Sequence, residues 1–383
     1  MHATTRAVRE MYGAFPYPSG GPTLRQATDA RLLLSYVERG RPAGRPIQVL
    51  DAGCGRGAGL IGAAATQSDV DFLGVDVCRE ALLDAQREAR RRGLANVRLA
   101  EVDLMTLAGL EVPDGGFDVI LSSGVVHHLA DPLVGLSRLA GVLAPHGVLS
   151  LMVYGRHGRE SLYRVVRALD ALVPRSLELR ERLHWGRELV RAVEGGPIAS
   201  GPWSDLTGID DVEFVDRYLN VNETSYDVPA LFELLERAGL WFLRWAEPND
   251  WRLETILPPG PLLDRARTLA PQQQFELVDA LAWRPAFELV VAKRGAEPRS
   301  PFDPAVHEPL AWSPEATLRS ERRNLRGSQR VESLFLQVRR GEPVPLRGAL
   351  AQTALAIEHQ HEAFALSDLA VELASRGIDR AQA

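Results

Sequence analysis

Residues 49–60 read VLDAGCGRGAGL, an apolar run and an aspartate followed by Gly53, Gly55 and Gly57 at alternate positions. A glycine turn after a strand lets the backbone approach a ligand closely, because no β-carbon stands in the way. The spacing Gly53-x-Gly55-x-x-Ala58 also satisfies the permissive dinucleotide fingerprint. The loop alone therefore leaves two ligands open, a dinucleotide pyrophosphate and the sulfonium nucleoside S-adenosylmethionine. Asp51 helps to separate them, since a carboxylate directly before the glycines repels a pyrophosphate and favours an ammonium. Asp76, 25 positions later, ends FLGVD and can accept both ribose hydroxyls, which either ligand carries. Asp103, in AEVDLMTL, can receive the amino protons of adenine. Ser122 and Ser123 end the next apolar run.

These residues recur in order because the surrounding pattern alternates strand and helix. IQVLDAG, DFLGVDV, VRLAEVD, FDVILSSG and GVLSLMVY read as strands, with AGLIGAAATQ, REALLDAQREARRRG and PLVGLSRLAGVLA as helices between them. Strands joined by helical crossovers make a parallel sheet covered on both faces, and ligands bind such sheets at the carboxyl ends of the strands. VPALFELLERAGL then reads as a helix, and WFLRWAEP and PAFELVVAKR as closing strands. The helix in TLRQATDARLLLSYVERG has Thr23 as its expected cap.

The chain has 383 residues, a formal net charge of −6 and 25% charged residues, ordinary for a globular protein and unlike a basic nucleic-acid scaffold. Of its 44 basic residues all but Lys293 are arginines scattered along the chain, so single arginines carry little weight. Two cysteines, Cys54 and Cys78, cannot build a disulfide framework or a four-thiolate zinc site. The N-terminus lacks a signal-peptide core, and the apolar window at 134–153 is broken by APHG. The expectation is a cytoplasmic protein with no membrane span and no metal.

Taken together, VLDAGCGRG, GVDVCREAL, AEVDLMTL, FDVILSSGVVHHLADP and LAPHGVLSLMVY resemble the successive motifs of class I S-adenosylmethionine-dependent methyltransferases, over roughly residues 47–154. The resemblance implies an α/β fold with a Rossmann-like seven-stranded sheet whose last strand is antiparallel. It also implies cofactor roles for Asp51, Gly53, Gly55, Gly57, Asp76 and Asp103, with Cys54, Val77, Leu104, Ser122 and Ser123 beside them. MYGAFPYPS and NETSYDVPALFELLERAGLWFLRW further resemble a bacterial subgroup of that family. The expected organisation is a helical cap and aromatic loop over 1–46, a methyltransferase domain over 47–294 with a helical lid near 155–224, and a C-terminal part over 295–383. That last part begins as a proline-rich linker and continues as a small, mainly helical, winged-helix-like domain.

On the acceptor side, His127 and His128 follow the fourth strand in GVVHHLADP and could take an acceptor's proton. The competing role is packing at a helix start. Tyr12 and Tyr17, from the proline-flanked aromatic loop, and Tyr154 and Arg156, just past the fifth strand, are candidate substrate contacts. His157 and Arg159 share that segment and, like Arg156, could grip an anionic acceptor, or stand solvated in a loop. The expected activity is methyl transfer to a small molecule by in-line displacement. Methylation of protein or RNA is the alternative within enzymes, and a non-catalytic S-adenosylmethionine sensor lies outside them. No nucleic-acid partner is expected, and a homodimer through the amphipathic insertion helices is the other use of that segment.

Overall fold

In the computed structural model, the described residues are 1–19, 28–37, 44–193 and 208–295, with 316–325, 328–338, 344–346, 351, 353 and 354 beyond them. The N-terminal helix α1 (Ala3–Ala14) is followed by α2 (Ala30–Leu34), whose cap is Asp29. Its carboxylate accepts from the N–H groups of Arg31 and Leu32, while the expected cap Thr23 lies outside the described residues. The alternating segment then runs β1 (Ile47–Ala52), α3 (Ala58–Thr66), β2 (Val70–Asp76), α4 (Arg79–Arg91), β3 (Val97–Glu101), β4 (Phe117–Ser123), α5 (Pro132–Val142) and β5 (Leu143–Tyr154). Three helices follow, α6 (Glu160–Leu172), α7 (Leu179–Val193) and α8 (Asp211–Tyr218). The fold closes with α9 (Val228–Arg237), β6 (Leu240–Trp245), α10 (Pro261–Arg267), α11 (Pro271–Leu281) and β7 (Ala286–Lys293).

The seven strands order β3-β2-β1-β4-β5-β7-β6, and β7 runs antiparallel to both of its neighbours, as the family resemblance implied. Apolar runs make β1 and β4 suited to the middle, where both faces are covered. Val49, Leu50, Val119 and Ile120 are fully buried, split between two cores on either side of the sheet. Small residues bring α3 close, and Gly74 lets it closer still. A β-carbon at Gly74 would stand 2.5 Å from Leu60 Cδ2. Near the amino end of the central strand β4, buried Asp118 accepts from Arg45 at 2.8 Å, from the Gln48 N–H at 2.8 Å and pairs with His146 at 2.6 Å.

A third core belongs to neither face of the sheet. Met11 and Phe15 of the N-terminal segment pack with Val165, Leu169, Leu183, Val190 and Phe214 of α6–α8. The insertion helices thus bury much of their apolar surface within one chain, Leu172 and Trp185 staying exposed, and α1 with α6–α8 forms a cover on the carboxyl side of the sheet. No helix among the described residues is long and apolar enough to cross a membrane.

The C-terminal part departs from expectation. Its described residues form β8 (Ala316–Leu325), β9 (Ser328–Val338) and β10 (Val344–Leu346), an antiparallel sheet ordered β10-β9-β8. β9 carries the β-branched and aromatic run VESLFLQV, whereas β8 is too polar to show an apolar stripe. The helical patterns that suggested a winged-helix-like module lie outside the described residues apart from Ala351, Thr353 and Ala354, as does HQHE at 359–362.

Candidate active site

The glycine loop is shaped by left-handed backbone at Gly53 (φ 86°), Gly55 (φ 51°) and Gly57 (φ 81°). The N–H groups of Gly53 and Cys54 both donate to the Val75 carbonyl, at 2.8 and 2.9 Å, which pins the turn to the end of β2. A β-carbon on Gly53 would lie 2.3 Å from Val125 Cγ2, and one on Gly57 would lie 2.9 Å from Ala85 Cβ. At Gly55 it would meet nothing within 4 Å, so the space beside that residue is open.

Asp51, Asp76 and Asp103 stand at or just past the carboxyl ends of β1, β2 and β3. Asp76 accepts from the Gly55 N–H and the Cys78 N–H, each at 2.8 Å, and burial raises its pKa against those hydrogen bonds. Each of its oxygens keeps a second lone pair for a hydroxyl. Asp103 accepts from the Met105 N–H at 2.9 Å through one oxygen, while its Oδ2 is buried with no partner. Burial pushes the Cys54 thiol up, and the charges of Asp51 and then Asp76 push it further. Val77 is half-buried and Leu104 buried beside them. An open glycine turn, a carboxylate bound to that turn and an orphaned carboxylate oxygen are what an adenosine bearing an ammonium needs. The residues fit S-adenosylmethionine.

Ser122 and Ser123 divide. Ser122 is wholly buried and donates to the Ala52 carbonyl at 3.2 Å, tying β4 to β1, while Ser123 is exposed at the strand end.

Residues 45–175 match the family model described as a methyltransferase domain. Residues 45–175 thus carry a methyltransferase domain, on a seven-stranded sheet of the class I S-adenosylmethionine-dependent kind. An uncharacterised protein of Synechococcus is 28% identical over 292 residues, 73% of this chain and 69% of that protein. An uncharacterised methyltransferase of Mycobacterium tuberculosis is 35% identical over 106 residues, 28% of this chain, which spans half of that relative. A ubiquinone biosynthesis O-methyltransferase of Leptothrix cholodnii is 28% identical over 187 residues, 45% of this chain and 78% of that enzyme. The solved structure of PKMT2 from Rickettsia typhi in complex with AdoHcy superposes with a TM-score of 0.63 at 16% identity, covering 94% of this chain and 72% of that one, a likeness of fold.

The ends of β4 and β5 meet the 222–226 segment beneath the cover. His127 and His128 form a 3-10 turn directly after β4, and both are buried. His128 Nδ1 lies 2.7 Å from the Asn222 carbonyl oxygen, and Asn222 Nδ2 donates back to the His128 carbonyl at 3.1 Å. His127 is different, since both of its ring nitrogens are buried without a partner. Its pKa is held well below the ordinary histidine value by burial, then by His128 and Arg159. Tyr154 stacks on His127 with ring centroids 3.8 Å apart.

The cover supplies the rest. The Tyr12 hydroxyl donates to Asp216 at 2.8 Å, and Asn220 donates to that hydroxyl at 3.4 Å. Burial raises the pKa of Tyr12, Tyr154 and Asp216 alike. Tyr17 is half-buried near Tyr154, and the preceding loop is stitched to the glycine turn where Arg56 donates to the Pro18 carbonyl at 2.5 Å. Phe15 sits in the cover's own core instead of lining the site. The backbone of 224–226 completes the seam: the Thr224 N–H donates to the His127 carbonyl at 2.8 Å, and the Tyr226 N–H to the Tyr154 carbonyl at 2.9 Å.

Arg156 is exposed and pairs with Asp227 at 2.6 Å, so it caps the seam from outside. Its neighbour Arg159 turns inward and is buried. One turn of 3-10 helix separates their directions, which spacing could not show. Asp216, Asn220, Asn222, Glu223 and Tyr163 are absent from the sequence-derived site. Asn220, Asn222 and Glu223 belong to the polar run NVNETS between two helices, while Asp216 and Tyr163 lie within α8 and α6.

Proposed function

We propose that this methyltransferase methylates a hydroxyl of an uncharged small molecule held between the glycine loop and the cover. The carrying observation is His127, fully buried with two unpartnered nitrogens at the head of β4. A buried polar group left unsatisfied costs about 1–3 kcal/mol, so a site that keeps one supports a ligand supplying the missing bond. The name of the Leptothrix cholodnii relative supports a hydroxyl acceptor on a small molecule.

The charge balance favours a neutral acceptor. Arg159 is already neutralised by Glu223, Arg156 is spent on Asp227, and Asp216 adds a further carboxylate. An anionic acceptor would meet net negative charge in a place where water screens little.

S-adenosylmethionine, when bound, supplies an electrophilic methyl carbon. For the cofactor, Asp51 faces the ammonium, Asp76 takes the ribose hydroxyls through its spare lone pairs, and Asp103 Oδ2 takes the adenine amino group. For the acceptor, His127 receives the hydroxyl proton on an imidazole that burial keeps neutral, and Tyr154 holds that ring in place. The cover excludes water, and holding the reactants together supplies much of the rate.

The test is release of S-adenosylhomocysteine with a panel of catechols and hydroquinones, beside carboxylated analogues. The neutral acceptors should be turned over, and His127→Asn should lower turnover by roughly 10²–10⁴-fold with cofactor affinity kept. Preference for the carboxylated set, or full turnover by His127→Asn, would reject the proposal.

A further inference from the structure

We infer that Arg159 is a positioning residue that clamps the Tyr154 ring against His127 from the root of the cover and so fixes the imidazole on the acceptor side. Only the functional meaning of this clamp rests on the proposed role of His127; the clamp itself rests on distances. The Arg159 Cζ lies 3.5 Å from the Tyr154 ring centroid. The His127 ring centroid lies 3.8 Å from that same centroid, with 32° between the planes. Two groups that close to one centroid cannot share a face, because they would overlap each other. Tyr154 is therefore sandwiched, with a cation on one face of its π-system and an imidazole on the other.

Arg159 is itself held from behind. Its Nη2 donates to both oxygens of Glu223, at 3.1 and 3.0 Å, and its Nε donates to the Tyr163 hydroxyl at 3.3 Å. Tyr163 in turn donates to Glu223 at 2.6 Å. With Nε and Nη2 engaged this way, the guanidinium is held in place over the Tyr154 ring. Glu223 belongs to the segment that also bonds the His127 carbonyl through Thr224, so the seam and the clamp close together.

The charges around the stack come from several elements. His127 faces His128 on its own turn, Tyr154 from β5 and Arg159 from the 3-10 turn after β5. Tyr17, Asp216 of α8 and Glu223 stand around Tyr154, and Tyr12 of α1 is near it. Arg159 and His128 both oppose a proton on His127, in addition to burial. The clamp thus keeps the ring oriented and its lone pair available.

The experiment is a ¹⁵N-histidine NMR titration of the full chain saturated with S-adenosylhomocysteine, with His127→Asn assigning the resonance. Arg159→Met should raise the His127 midpoint by about half a pH unit or more and move its ring shifts. Arg159→Lys should restore the midpoint through its charge, but leave the ring shifts altered because it lacks the planar stack. Glu223→Gln, which leaves the guanidinium unbalanced, should lower the midpoint and decides the matter if Arg159→Met does not fold. An unmoved midpoint and unmoved ring shifts in the folded variants would overturn the clamp. If they move while His127→Asn keeps full turnover, the clamp stands and the proposed proton transfer falls.

Discussion

On the cofactor side, carboxylates meet backbone: Asp76 holds the N–H groups of Gly55 and Cys78, and Asp103 holds that of Met105. On the acceptor side, side chains meet side chains: Tyr12 with Asp216, and Tyr163 and Arg159 with Glu223. The first arrangement spans shorter separations, 21 residues from Gly55 to Asp76 and two from Asp103 to Met105, across the ends of neighbouring strands. The second spans long separations, 204 residues from Tyr12 to Asp216 and 94 from His128 to Asn222. A cofactor common to a whole family can be met by a rigid local turn. The cover, by contrast, is held together by its own hydrophobic core.

If the two sides are built so differently, substitutions should separate them. The largest effect is expected from Gly53→Ala, which adds a β-carbon 2.3 Å from Val125 Cγ2 at a left-handed φ of 86°. Strained backbone costs about 1–2 kcal/mol and overpacking about 1–3 kcal/mol, so calorimetry should find cofactor binding lost. Retained nanomolar or micromolar binding would show that the turn is softer than its geometry implies.

Next come the carboxylates. Asp103→Ala should weaken S-adenosylhomocysteine by ~1.5–3 kcal/mol, the range for one charge-assisted hydrogen bond. Asp76→Ala should cost more, because the same carboxylate also ties down Gly55 and Cys78. The reverse order would mean that the adenine end, not the loop, dominates affinity.

Tyr12→Phe removes a donor from buried Asp216 and should loosen the cover by about 1–3 kcal/mol in denaturant unfolding. Cofactor affinity should change by less than about threefold, since the loss lies outside the cofactor half. A large fall in affinity would join the two sides that the structure separates.

The smallest effect lies at the root of the cover, where Asp279 is buried beside His157 and its pKa is raised to about 6, chiefly by burial. A carboxyl whose folded pKa is raised stabilises the protein fully below its unfolded pKa, and that stability is lost as pH climbs through the folded value. Asp279→Asn should therefore match the parent near pH 4 and exceed it by roughly 2–4 °C in Tm above pH 7. Equal melting curves at both ends would assign the shift to solvent-accessible, unstrained ionisation.

Much of the cofactor half was readable from residues alone. Asp51, the three glycines, Asp76 and Asp103 fall at strand ends because an alternating strand–helix pattern leaves few other places for them. Ser122 was misplaced by the same logic, since period-two alternation does not say which of two adjacent serines points outward at a strand end. Arg156 and Arg159 shared one expected role, and the 3-10 turn divides them, leaving Arg156 exposed and Arg159 buried. The strand at 316–325 escaped notice because no apolar stripe marks it, and the one at 328–338 carries its apolar run only from Val331 on.

What the sequence by itself determined is the parallel sheet, its turn over β1 and the row of acids, all encoded by neighbours close along the chain. What only the tertiary structure decided is which side chains from α1, the 3-10 turns and the 220–226 segment meet over His127 and Tyr154. That meeting depends on the cover's apolar core burying Met11, Phe15 and Phe214 together, a packing outcome that no local spacing records.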